Sequence, residues 1–229
     1  MINLKKNMSL TQQFIFGYGS LLESQSRTQT TPSALHASPV LVAGIQRGWF
    51  GQLDVVGLSP TYLGAVPDFN SHCNGVIFKV TEEELDAFDQ HEAGYHRERI
   101  DQPNISMLDG SQSAPDGDIW FYAPAEKRYA SPEFPIVQSY LDVCLNGCLE
   151  IEATYAPAKE AEFAETFLKT STDWSKYWVN DRIFPRRASV YLPNASKIDQ
   201  LIKKVLGEEM FSSIKIEPAS WETCGEASK

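Results

Sequence analysis

Phe14-Ile15-Phe16-Gly17-Tyr18-Gly19-Ser20-Leu21 begins as a strand and ends as a loop. Three apolar residues of high β propensity run into two glycines separated by a tyrosine, which marks a tight turn where backbone approaches something closely. Consecutive backbone N–H groups in such a loop can wrap an anion or a developing oxyanion. Gly19 supplies what that needs: no side chain between backbone and ligand, and freedom to take a positive φ. Working outward, residues 23–38 are rich in Ser, Thr and Gln and read as loop with at most one weak helix. Val40-Leu41-Val42-Ala43-Gly44-Ile45 reads as a strand. Gly48-Trp49-Phe50, Tyr62-Leu63-Gly64-Ala65-Val66 and Asn74-Gly75-Val76-Ile77-Phe78-Lys79-Val80 read as further strands divided by turn residues.

A helix follows. Thr81 with Glu84 three residues later forms a capping-box pattern, and Glu82, Glu83 and Glu84 fill the first turn, where the helix dipole favours negative charge. Leu85 and Phe88 give it an apolar face and Gly94 a stop. Two more strands are expected around residues 97–100 and 119–122. Beyond residue 131 the spacing turns helical, as in Ile136, Tyr140, Val143, Cys144 and again Phe163, Phe167. The reading is an α+β fold: a small mixed β-barrel core with one main helix, spanning residues 14–130, and a mostly helical C-terminal extension, residues 131–229, packed on it. Residues 220–229 read as a tail.

With 229 residues the chain should bury roughly 70% of its unfolded surface, so a core needs no disulfide or metal staple. The formal net charge of −10 argues against nucleic acid or an anionic membrane as partner, since both would be repelled. It leaves room for a small acidic ligand in a locally positive pocket. Residues 1–13 hold two lysines but no apolar run of signal-peptide length, and no segment reaches the ~18 apolar residues that span a bilayer. Cys73, Cys144, Cys148 and Cys224 therefore read as reduced thiols, and the expected location is cytoplasmic.

Several motifs fail on geometry. His91 and His96 bracket a glutamate, but zinc on a helix face needs histidines at i and i+4, and here the spacing is five with Gly94 inside. Cys144 and Cys148 stand one helical turn apart without a second pair, which is the pattern of buried core thiols. Gly17-Tyr18-Gly19 lacks the third glycine of a dinucleotide fingerprint, with Leu22 in its place, and Ser20 lacks the flanking glycines of a nucleophile elbow. The histidines are read as surface or structural groups.

Two features remain. One is the loop at residues 17–21. The other is Glu92, at the end of the helix beside Phe88 and Tyr95. On the residues alone Glu92 is either a solvated helix-end charge or a desolvated carboxylate whose pKa rises toward neutrality. Trp174, Trp178, Asp181, Arg182, Arg186 and Arg187 form an aromatic and basic cluster in an acidic chain. It reads as a packing unit, with an arginine that recognises a substrate carboxylate as the alternative.

Phe16-Gly17-Tyr18-Gly19-Ser20-Leu21, then Gly75-Val76-Ile77-Phe78, then the stretch from Leu85 to Tyr95 resemble the γ-glutamylcyclotransferase-like family in content, order and spacing over residues 14–123. That group includes γ-glutamyl cyclotransferases, γ-glutamylamine cyclotransferases and ChaC-type enzymes. The resemblance implies substrate binding by Tyr18, Gly19, Ser20 and Leu21, a pocket-lining role for Tyr122, and catalysis by Glu92. Ala93, between Glu92 and Gly94, departs from the family pattern, and the loop, with no asparagine before Leu21, is more like the ChaC and γ-glutamylamine branches. The expected activity is cyclisation of a small-molecule γ-glutamyl substrate to 5-oxoproline, with release of an amine or amino acid. Attack of the substrate's own α-amine on its γ-carbonyl gains a large effective molarity, so no cofactor or metal is expected. One carboxylate with a pKa near neutral can take a proton from the α-ammonium and deliver one to the leaving amine. The alternatives are a non-catalytic module that binds an amino-acid-like ligand, and an amide hydrolase or transferase using the same pocket.

Overall fold

The computed structural model describes residues 11–52, 60–91, 94–186 and 193–216. In chain order the elements are β1 (Gln13–Gly17), a 3₁₀ turn (Ser20–Leu22), α1 (Ser24–Thr30), β2 (Ser38–Gln52), β3 (Thr61–Val80), α2 (Glu82–His91), β4 (Tyr95–Ile100), β5 (Ile105–Met107) and β6 (Asp118–Pro124). The chain continues through β7 (Ile136–Val137), α3 (Gln138–Thr154), α4 (Ala156–Glu160), α5 (Phe163–Thr170), β8 (Ser171–Thr172), β9 (Trp178–Asn180), α6 (Ala195–Leu206), α7 (Glu208–Ser212) and β10 (Lys215–Ile216).

β1 lies between β3, to which it is antiparallel, and β6, to which it is parallel. Successive side chains of a strand point to opposite faces. Phe14 and Phe16 accordingly enter one core with Val40, Ile77, Ile119 and Phe121. Ile15 enters the other with Leu22, Val76, Phe78, Leu85 and Phe88. The capping box of α2 forms as expected: Glu84 N donates to Thr81 Oγ1 at 3.1 Å and Thr81 N to Glu84 Oε2 at 2.8 Å.

The short strands expected between residues 40 and 80 are two long ones. β2 does not stop at Gly44, because that residue sits at φ +83° where the register with β3 shifts, and a bulge bends a strand without ending it. The weak helix of residues 23–38 is α1.

The ten described strands form one mixed sheet in the order β10-β9-β7-β3-β1-β6-β4, with β2 on β3 and both β5 and β8 on β2. The expected closed barrel is not what forms. Among the described residues β4 pairs with β6 alone and β5 with β2 alone, so the ladder stays open between them. The chain crosses from one edge to the other through a 3₁₀ turn at Gln102–Asn104 that contains Pro103, a residue with no N–H to give to a ladder.

α2 is the longer helix of the expected core, and α3, the longest among the described residues, lies in the helical extension. Leu141, Cys144, Leu145 and Cys148 on it are fully buried. Gly147 lets α3 approach the loop after β1, since a Cβ there would stand 2.3 Å from Glu23 N. The residues after 131 are helical but also add the short strands β7 to β10 to the sheet. Cys73, Cys144 and Cys148 are buried thiols outside any disulfide, and Cys224 and the tail at 220–229 lie outside the described residues. No helix among the described residues is long and apolar enough to cross a membrane.

Candidate active site

A cavity of about 280 Å³ opens where the loop after β1 meets α2, β6 and α3. Its walls include Tyr18, Gly19, Ser20 and Leu21 from the loop, Tyr62 from β3, Phe88 from α2, Tyr95 from β4, Tyr122 from β6 and Tyr140 from α3. Five of the six expected site residues, Tyr18, Gly19, Ser20, Leu21 and Tyr122, are thus brought together. Glu92 and Ala93 lie outside the described residues. Phe88 and Tyr95, which flank Glu92 in sequence, both line the cavity.

The loop is held by its carbonyls. Leu22 N donates to Gly19 O at 3.0 Å and Glu23 N to Ser20 O at 3.2 Å, which closes the 3₁₀ turn. Arg27 Nη1 donates to the carbonyls of Leu21 and Leu22 at 3.0 and 3.1 Å, and Arg47 Nη1 to that of Tyr18 at 3.3 Å. Every carbonyl from Tyr18 to Leu22 is therefore engaged. The N–H groups of Gly19, Ser20 and Leu21 have no partner among the described residues. Three consecutive donors of this kind at the wall of a cavity are suited to an anion or an oxyanion.

The opposite walls are aromatic and fixed. Tyr18 Oη donates to Tyr122 O at 2.6 Å, and Tyr122 Oη to Asp89 Oδ1 at 2.7 Å. Asp89 also lies 3.4 Å from Arg97 Nη1, so the last turn of α2 is tied to β4 and β6. Phe88 stacks on Tyr122 with centroids 5.9 Å apart. Tyr140 meets Tyr62 and Trp49 edge-on at 5.0 and 6.0 Å. Burial pushes the Tyr140 hydroxyl well above its ordinary pKa, so it stays protonated. Its oxygen would stand 2.6 Å from a Cβ on Gly19. Gly19 itself has φ −130°, so the need for glycine comes from the approach of Tyr140 and not from the positive φ expected from the sequence.

Tyr62, Tyr95 and Tyr140 were not singled out as site residues from the sequence. Tyr140 was legible only as an apolar position of a helix, and its place in the wall depends on the docking of α3. Arg47 gave one signal, a cation between two stretches of strand-forming apolar residues, Val40–Ile45 and Trp49–Phe50.

The other candidates resolve plainly. His96 is exposed, with Nε2 3.1 Å from Glu98 Oε1, and the His91 side chain and Arg187 lie outside the described residues. No group of three metal-ligating side chains occurs among the described residues. The Trp and Arg cluster is a packing unit. Asp181 accepts from Ser139 N and Oγ at 2.8 and 2.6 Å and from Arg186 N at 2.7 Å, which anchors the N-terminus of α3. Arg182 grips Asp142 with Nε and Nη2 at 2.7 and 2.8 Å and reaches Asp199 on α6. Trp174 stacks on Trp178 at 5.2 Å. A second cleft of about 370 Å³ borders the loop through Leu22, with Arg27, His36, Glu150 and Tyr155 in its walls.

Residues 15–138 match the family described as gamma-glutamyl cyclotransferase, AIG2-like. A solved structure named gamma-glutamyl cyclotransferase superposes with a TM-score of 0.51 at 15% identity, over 84% of this chain and 99% of the other. An uncharacterised human protein superposes with a TM-score of 0.52 at 14% identity, over 85% of this chain and 99% of the other. At these identities the likeness is one of fold. No curated protein matches the sequence.

Proposed function

Because the chain belongs to the gamma-glutamyl cyclotransferase, AIG2-like family, we propose that it cyclises a small γ-glutamyl compound to 5-oxoproline and releases a free amine or amino acid. The observation that carries this reading is the run of three unengaged N–H donors, Gly19 to Leu21, on the wall of an aromatic cavity. In the reaction the α-amine nitrogen bonds to the γ-carbonyl carbon, the ring closes, and the bond to the leaving amine breaks. The loop N–H groups hold the substrate carboxylate or the oxyanion that forms as the nitrogen adds. Glu92 takes the proton released by the α-ammonium and passes one to the departing nitrogen. Tyr122, fixed by Asp89, keeps the substrate chain folded for ring closure. Residues 14–130 carry the loop, Glu92 and Tyr122, and the extension at 131–229 adds Tyr140 to the wall. Buried thiols outside any disulfide fit the cytoplasmic location proposed with this activity.

The test is a mass-spectrometric product assay on glutathione, γ-glutamyl dipeptides and γ-glutamyl-lysine, with and without EDTA. Appearance of 5-oxoproline, unchanged by the chelator, is the expected result. Free glutamate would make the protein an amide hydrolase, and unchanged substrates throughout would make it a binding module.

A further inference from the structure

Arg47, on β2, is fully buried, yet its guanidinium meets no carboxylate among the described residues. Nε donates to Ser171 Oγ at 2.9 Å. Nη1 donates to the carbonyls of Asn74 and Tyr18 at 2.6 and 3.3 Å. Nη2 donates to Asn74 Oδ1, the Phe167 carbonyl and Thr170 Oγ1 at 3.0, 2.8 and 2.9 Å. The guanidinium carbon lies 4.0 Å from the centre of the Phe167 ring. These partners satisfy its hydrogen bonds and leave its charge unbalanced.

Cys73, Cys148 and Tyr140 beside it do not balance it either. Burial pushes the Cys73 thiol up to about 11 despite the pull of Arg47, and pushes Cys148 and the Tyr140 hydroxyl well above their ordinary values. All three are neutral at physiological pH. A buried charge without a counter-charge is unfavourable, and proteins seldom keep one without a use for it. The position of this one is informative. The Tyr18 carbonyl that Arg47 holds belongs to the peptide whose N–H is that of Gly19, one of the unengaged donors at the cavity wall. The peptide has a cation at its oxygen and an open donor at its nitrogen.

We propose that Arg47 is the fixed positive charge of the cavity, acting through the Tyr18–Gly19 peptide to select a ligand that brings its own negative charge to the Gly19–Leu21 N–H groups. It does not touch the ligand, so it is a positioning residue. The identity of that ligand as a γ-glutamyl carboxylate rests on the cyclisation reading. In a low-dielectric interior such a field is weakly screened, so the preference should persist at high salt.

The test is calorimetric binding of three probes: 5-oxoproline, its uncharged analogue 2-pyrrolidinone, and propionate, which has the charge without the ring. Asn74→Asp places a carboxylate where Oδ1 already accepts from Arg47 and so neutralises the cation in place. The Phe163 carbonyl loses the Asn74 Nδ2 donor in that variant, so a thermal melt serves as the folding control. Thr170→Asp neutralises from the other side if the first variant does not fold. Arg47→Lys keeps the charge and loses the fork. The wild type should prefer 5-oxoproline over the neutral lactam by about tenfold or more, a preference lost on neutralisation and kept by the lysine variant. Lactam affinity should not move. An unchanged preference in folded Asn74→Asp and Thr170→Asp proteins would overturn the inference. Equal binding of lactam and 5-oxoproline by the wild type would also overturn it, while leaving the cyclisation reading standing. Binding of propionate that neutralisation abolishes, without binding of 5-oxoproline, would keep the charge and dismiss the γ-glutamyl ligand. Binding of none of the three would overturn both.

Discussion

Arg47 and Arg182 are both withdrawn from solvent, and they are treated in opposite ways. Arg182 sits between α3 and α6 with Asp142 and Asp199 around it. Burial works against its charge, but the two carboxylates more than offset that and hold its pKa above the ordinary value. The hydrogen-bond partners of Arg47 among the described residues are hydroxyls, carbonyls and an amide, and burial holds its pKa below the ordinary value. A cation matched by the chain's own acids has nothing left to offer a ligand, and it works as a clamp between helices. A cation left unmatched behind an open run of N–H donors is complete only when an anion enters. The arginine-rich segment after Trp174 drew attention in the sequence, yet it is scaffold, and the functional charge is an arginine inside a strand.

That contrast can be broken in four ways. Arg182→Ala strands Asp142, whose side chain is fully buried, and removal of one partner from such a pair costs about 3–5 kcal/mol. Denaturant unfolding should show that loss with the ligand preference unchanged; a change in preference would put Arg182 in the site. Glu92→Gln keeps volume and hydrogen bonding but carries no proton, so turnover should fall by ~10²-fold or more in a protein that melts normally. Near-normal turnover would make Glu92 a bystander. Gly19→Val drives a side chain toward Tyr140, which is packed on Tyr62 and Trp49. Affinity for 5-oxoproline should drop by about tenfold or more, with a modest fall in melting temperature, because a displaced loop loses its aim before it loses its packing. Ser20→Ala removes one hydroxyl among several donors and should weaken binding by no more than about 1 kcal/mol; a larger loss would move the centre of recognition from backbone to side chain.

Local chemistry was legible in the sequence and long-range convergence was not. Thr81 and Glu84 announce their helix because both halves of the capping box lie within one turn. Phe14, Ile15 and Phe16 announce a strand because apolar residues with β propensity are a local signal. Whether the sheet closes depends on where β4 and β5 end up, and those edges are linked through a proline-containing turn that periodicity does not describe. Gly44 read as punctuation, although a single residue at positive φ can be absorbed as a bulge inside a continuous strand. The loop at 17–21 was readable as a place for an anion. What holds the loop in place was not, since Arg47 reaches the Tyr18 carbonyl from β2 and Tyr140 closes on Gly19 from α3. Arg47 is satisfied by Asn74, Phe167, Thr170 and Ser171 together, and only the docking of α5 and β8 against β2 assembles that set.

The most direct measurement is a crystal structure of the protein with 5-oxoproline bound. The carboxylate should lie about 2.7–3.2 Å from at least two of the N–H groups of Gly19, Ser20 and Leu21, with the lactam ring among Tyr62, Tyr122 and Tyr140. A ligand seated instead in the cleft beside Arg27, or one that leaves those three donors facing solvent, would contradict the account.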